Sequence, residues 1–252
     1  MSTLVIAGDT SGSITLQPAS SGSGTLTLPT FSGTVLTPII SAGTATVAPL
    51  TFSNGNITTT TTAGNWEYDG EVFYITPTAT QRGLIPTQII YYINSTIAGG
   101  SGTSVQTPFG VGVSLSANTV YVIESKMTWI AVGATNSVTF QWGFGGTATT
   151  NNILYQTQSL WDSGTSSTQV DATENQAIIN TTAQTAVTVA AATGALSNII
   201  RGTVSIATAG TFIPQYQWSA LPGTTWTLQV GSYFSLYPVG VAGANTSIGT
   251  WS

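Results

Sequence analysis

The 252-residue chain has no histidine and no cysteine. Without imidazole there is no Ser-His-Asp triad, and without a thiol there is no thiolate nucleophile. The usual zinc ligands are absent for the same reason, so no metal site of that kind is expected. A chain without cysteine is compatible with any redox compartment. Bases are almost as scarce: Arg82, Lys126 and Arg201 are the only ones, and the formal net charge is −5. Neutralising phosphates takes several Lys or Arg, so no nucleic-acid partner is expected. No stretch reaches the ~20 apolar residues of a membrane span, so no membrane partner is expected either. The opening Met1-Ser-Thr-Leu-Val-Ile-Ala-Gly8 lacks the basic region of a secretory signal. Without such a signal, the Asn-x-Ser/Thr matches at Asn56, Asn94, Asn180 and Asn245 read as chance matches in a chain so rich in Ser and Thr.

Charged residues are only 4% of the chain, against about 25% in ordinary proteins. Hydrophobic residues are 41% and mean hydropathy is +0.26. Disordered chains combine low hydrophobicity with high charge, so this chain is expected to fold. Its surface must be covered by Ser, Thr, Asn, Gln and Gly. Such a surface is hydrated but repels its neighbours weakly. An obligate oligomer is therefore expected, with apolar surface buried between subunits.

Three zones follow along the chain. Residues 1–40 carry short alternations, Ser13-Ile-Thr-Leu16, Thr25-Leu-Thr-Leu28 and Thr34-Val-Leu-Thr37, separated by Gly, Ser and Pro. Strands this short bury little by themselves, so the zone reads as an anchoring arm that needs a partner surface. Residues 41–64 include Thr58 to Thr62, where β-branched side chains favour extended backbone; they read as a linker. Residues 65–252 read as an all-β, jelly-roll-like β-sandwich. The evidence is period-two alternation: Tyr121, Ile123, Met127 and Trp129; Val138, Phe140, Trp142 and Phe144; Phe212, Pro214, Tyr216 and Trp218; Trp226, Leu228 and Val230. Asp69-Gly70 between apolar runs predicts a two-residue hairpin turn. Asp171–Asn180 admits a short helix, with Asp171 and Glu174 at a helix-start spacing.

Chemistry is confined to eight carboxylates: Asp9, Glu67, Asp69, Glu71, Glu124, Asp162, Asp171 and Glu174. Glycoside hydrolysis needs only two. Glu67, Asp69 and Glu71 are the only cluster. Three acids around a tip could hold Ca²⁺; the plainer reading is a charged hairpin turn. Lys126, one pleat from Glu124, reads as an ion pair. Gly143-Phe-Gly-Gly146 is neither a phosphate loop nor a dinucleotide fingerprint and reads as a loop or bulge. The aromatics in alternating strands read as core or subunit interface. Tyr91 and Tyr92 are adjacent and must point to opposite faces of a strand, so one faces outward or into a neighbour. No catalytic residue and no cofactor is assigned.

Leu4-Val-Ile-Ala-Gly-Asp-Thr-Ser-Gly-Ser-Ile-Thr-Leu16, Gly24-Thr-Leu-Thr-Leu-Pro29 and Gly33-Thr-Val-Leu-Thr37 resemble a leader on virion proteins of tailed bacteriophages. Trp66-Glu-Tyr-Asp-Gly-Glu-Val-Phe-Tyr74 looks like their junction segment. Gly231-Ser-Tyr-Phe-Ser-Leu-Tyr-Pro238 is similar to the last strand of their distal β-domains. The match is best over the first ~40 residues and otherwise one of style. The resemblance implies a non-enzymatic homotrimer on the outer surface of a virion, assembled in the bacterial cytoplasm. Its arm would dock on the major capsid protein or another virion component, as in a capsid decoration (cement) protein or short head fibre. The alternative is a tail fibre whose aromatics hold a host-surface glycan. A polysaccharide depolymerase using two carboxylates is a distant third.

Overall fold

The computed structural model describes residues 4–7, 13–16, 43–46, 48, 50–78, 81–100, 102–131, 136–162, 173–187, 194–242 and 251. The chain forms two compact units, Met1–Thr51 and Phe52–Ser252. In the first, β1 (Leu4–Ala7) pairs with β2 (Ser13–Leu16) in antiparallel register from Leu4↔Leu16 to Ala7↔Ser13. The alternation at 13–16 is thus a strand. The expected strands at 25–28 and 34–37 lie outside the described residues.

The second unit begins with a small sheet of β3 (Trp66–Tyr68), β4 (Phe73–Thr78) and β5 (Gln81–Ile85), in the order β3-β4-β5. Tyr68 pairs with Phe73, so the Asp69-Gly70 turn is a hairpin with four loop residues rather than two. Asp69 explains the longer loop. Its Oδ1 accepts the amides of Glu71 (2.9 Å) and Val72 (2.7 Å), an Asx turn that spreads the reversal over residues 69–72. Gly70 takes the required left-handed backbone at φ +103°. Part of the expected linker runs along this sheet. Gly55 donates to the Tyr68 carbonyl at 3.0 Å, Gly64 donates to the Thr76 carbonyl at 2.7 Å, and Phe52 meets Phe73 edge-on at 5.8 Å.

The remaining strands are β6 (Ile89–Tyr92), β7 (Ile97–Ala98), β8 (Val113–Leu115), β9 (Thr119–Ala131), β10 (Phe140–Gly145), β11 (Thr149–Asp162), β12 (Thr173–Ile179), β13 (Thr185–Ala186), β14 (Gly194–Thr208), β15 (Gly210–Trp218), β16 (Thr227–Leu228) and β17 (Tyr233–Val241). The chain is all-β, and no helix occurs among the described residues. Two antiparallel sheets make a β-sandwich. The smaller has the order β13-β10-β15-β8. The larger runs β12-β11-β14-β9, and β9 then pairs with β17 and β16 end to end. These pair in turn with β6 and β7.

The winding is ordered. Eight strands, β6, β8, β9, β10, β13, β14, β15 and β17, pair first with last and so on inward: β6 with β17, β8 with β15, β9 with β14, β10 with β13. The contacts β9–β17 and β10–β15 roll this ladder into two sheets. The β11–β12 hairpin is added beyond β14.

The core lies between the sheets, as the alternation predicts. Tyr121, Ile123, Met127 and Trp129 of β9 are buried, as are Phe140, Trp142 and Phe144 of β10 and Phe212, Tyr216 and Trp218 of β15. Rings meet across the sandwich: Trp129 and Tyr216 at 4.6 Å, Phe144 and Tyr155 at 5.3 Å edge-on. Aromatic pairs in such offset or edge-on geometry add about 0.5–1.5 kcal/mol beyond area burial.

Two further expectations fail. Residues 173–179 are not helical; they form β12, paired with β11 from Trp161↔Thr173 to Tyr155↔Ile179. Glu, Gln and Ala favour helix by only tenths of a kcal/mol each, and a full ladder outweighs that preference. The helix-start spacing of Asp171 and Glu174 therefore carries no helix; Asp171 lies outside the described residues. The alternation Trp226-Leu228-Val230 also breaks. Trp226 and Leu228 are buried but Val230 is exposed, because the Gln229–Ser232 turn, closed by Ser232 N–H to the Gln229 carbonyl at 3.2 Å, separates β16 from β17.

Candidate interaction surface

The structure disperses the carboxylates. Glu67 Oε2 lies 2.8 Å from Arg82 Nε, and its Oε1 accepts the Thr58 amide (2.7 Å) and hydroxyl (2.9 Å). Arg82 Nη2 donates to the Thr58 carbonyl at 2.6 Å. The three residues clasp the incoming chain to the small sheet. Asp69 is occupied by its turn and by the Tyr74 hydroxyl at 3.0 Å. Glu67 thus serves the clasp and Asp69 the turn, to which Glu71 gives its backbone amide, and no group of three potential metal ligands occurs among the described residues. Glu124 takes Arg201 across the strand, at 3.5 Å, while Lys126 is exposed. Glu174 Oε1 accepts the amides of Gln176 (2.6 Å) and Gln158 (2.8 Å). Asp162 ends β11, and Asp9 lies outside the described residues. Gly143–Gly146 is the end of β10 and its turn, with Gly146 at φ +112°.

Partial burial raises the Glu67 carboxyl, but the Thr58 hydrogen bonds and the Arg82 charge outweigh it and hold the group below its usual range. The two glutamine amides hold Glu174 low. Burial raises the Tyr74 phenol to about 12, aided by its bond to Asp69 and that residue's charge. Burial also raises Tyr155 and Tyr216, the latter opposed by the Gly100 amide.

These directions set the pH dependence. A raised phenol stabilises the fold fully below its unfolded value near 10 and loses that contribution as pH climbs through the folded value. Lowered carboxylates stabilise above about 4.5 and lose it as pH falls. No His or Cys titrates between. The thermal midpoint, followed by circular dichroism, is expected to be flat from about pH 6 to 9 and to fall on both sides. The fall above about pH 10 should be the steeper, since the phenols are the deeper groups.

The distinctive surface features belong to the larger sheet. On β6, Ile89, Ile90, Tyr91 and Tyr92 are all exposed, between 41% and 56%. Tyr91 turns inward onto Phe109 at 4.9 Å. Tyr92 stands on the opposite face beside Tyr233, its register partner. Beneath β6, an apolar cleft of about 320 Å³ opens between the sheets, lined by Tyr91, Phe109, Val111, Val113, Pro214 and Phe234 among others. At the far edge of the same sheet, Ile178 of β12 is 80% exposed. The Tyr91-Tyr92 alternation was legible in sequence. The rest was not; its one signal is that Ile89-Ile90-Tyr91-Tyr92 is apolar without alternation, where a half-buried strand should alternate.

The fold and surface define an all-β sandwich protein with two undefended sheet edges. No family model matches the chain, and no curated protein matches it. Among solved structures, it is similar to a chain in the structure of infectious bursal disease virus Gx strain, at 12% identity and TM-score 0.14. The match covers 62% of this chain and 42% of that one. At that TM-score the likeness carries no argument about this chain.

Proposed function

We propose that this chain is a non-enzymatic structural protein of a tailed-phage virion: a homotrimeric capsid decoration protein or short head fibre, docked by its N-terminal arm and carried on the outer surface. The observation that carries the reading is the first-with-last pairing of eight strands in two sheets. We read that winding as a jelly roll, an architecture common to viral capsid and lectin domains. Fold alone does not give function. Three further features support the reading: the arm-like leader, the scattered carboxylates, and a nearly uncharged surface suited to burial against sister subunits. An antibody raised against the recombinant chain tests it, applied to phage particles from cells carrying the gene and viewed by electron microscopy. Label spread over the head is the expected result. Absence of label from every particle would overturn it.

One observation favours the tail-fibre reading. Tyr92, Tyr233 and Tyr237 share the outer face of the larger sheet, by the registers Tyr92↔Tyr233 and Tyr237↔Val122. Tyr92 is exposed and Tyr233 and Tyr237 are half-buried; tyrosines so placed offer amphipathic contact area to a sugar. Label confined to the tail would select that reading.

A further inference from the structure

Among the described residues the larger sheet is open along β12 on one side, and along β6 and the two-residue β7 on the other. β6 pairs only with β17, and β12 only with β11. Natural proteins protect such edges with charge, proline or bulges. Ile89-Ile90-Tyr91-Tyr92 has none of these, and Thr173–Ile179 has a single charge, Glu174. Each edge also exposes large apolar groups on the outer face: Ile90 at 53% and Tyr92 at 56% on β6, and Ile178 at 80% on β12.

The two edges match in direction. From β12 the sheet passes through β11, β14, β9 and β17 to β6, and every one of these five pairings is antiparallel. An odd number of reversals leaves β6 running opposite to β12. A second copy rotated about an axis parallel to the strands therefore brings its β12 beside β6 antiparallel, with the same face outward. The sheet then continues from copy to copy without a change of pattern. Ile178 of the arriving strand lands on the face that holds Ile90 and Tyr92.

We propose that β6 of one copy pairs with β12 of a second copy, head to tail, as the subunit interface of this protein. Main-chain hydrogen bonds supply the adhesion, as in strand addition to any open edge. The contact is heterologous, so it must close into a ring or grow without end. Closure at three rests on the trimer of the preceding section; the edge pairing does not.

The absence of cysteine makes the test clean. Tyr92→Cys, Ile178→Cys and the double variant are made in the full chain and treated with a long, flexible bis-maleimide, because each two-residue change of register between the four-residue β6 and the seven-residue β12 moves the two thiols about 7 Å along the strands. Both positions are exposed, so folding should survive; circular dichroism checks it. The expected result is that only the double variant is linked, into a closed trimer that electrophoresis resolves. Linked dimers from either single variant would mean like edges meet, and would overturn the proposal. An unlinked double variant that is trimeric by light scattering would also overturn it, leaving the trimer standing on another surface. A monomer by light scattering would overturn both.

Discussion

Trp218→Ala is expected to cost about 3–5 kcal/mol, the usual penalty for emptying a large aromatic site in a core. Trp218 is 1% exposed and is a hub of the ring cluster. Its ring lies 4.9 Å from Trp226, 5.2 Å from Phe140, 6.0 Å from Tyr216 and 6.4 Å from Trp129. These partners come from both sheets, so the loss loosens the two layers together. In a unit of this size the melting midpoint should fall by roughly 10 °C or more. Trp218→Phe separates ring from indole. The buried Nε1 has no hydrogen-bond partner, so phenylalanine forfeits area but no hydrogen bond. It should cost at most about half as much as alanine. Equal losses from the two variants would mean that the indole nitrogen, not the packed ring, holds the site.

Gly202→Ala is expected to destabilise by about 1–3 kcal/mol, although it adds one methyl to an exchange usually read as mild. Gly202 sits in β14 opposite Tyr155 of β11. A Cβ there would lie 2.5 Å from the Tyr155 Cα and Cβ and would strike the Leu154 carbonyl oxygen. Those neighbours are mostly backbone and cannot rotate away, so β11 would have to shift against the strand with which it shares its longest ladder. Gly55→Ala is the control. Nothing lies within 4 Å of its added carbon, and the change should stay within about 0.5 kcal/mol of neutral. Chemical denaturation of both variants checks the contrast, and a Gly202→Ala as mild as the control would show that β11 yields freely.

Particular residues show how far the sequence could be read. Phe140, Trp142 and Phe144 alternate with smaller or polar neighbours, and all three are buried. A strand with one wet face must alternate, so the core positions were open to reading. The Tyr91-Tyr92 argument worked by the same rule. The rule failed at residues 173–179, where Glu, Gln and Ala are compatible with either state and the ladder with β11 decided between them. It failed again at Val230, where a turn interrupts the period. The clasp of Glu67, Arg82 and Thr58 joins residues up to 24 positions apart, a separation that no local pattern encodes.

The sequence by itself determined that this protein folds as strands around a large aromatic core, with neither imidazole nor thiol. Composition and a two-residue period are local properties, and both act before any contact forms. Only the tertiary structure decided which strands meet. The first-with-last pairing, the exposed apolar edges at β6 and β12, and their opposed directions depend on partners far apart in the chain. The physical reason is that a strand's hydrogen-bonding groups are the same in every residue. Alternation says which side is buried, while the choice of neighbour is made by the packing of the whole sandwich.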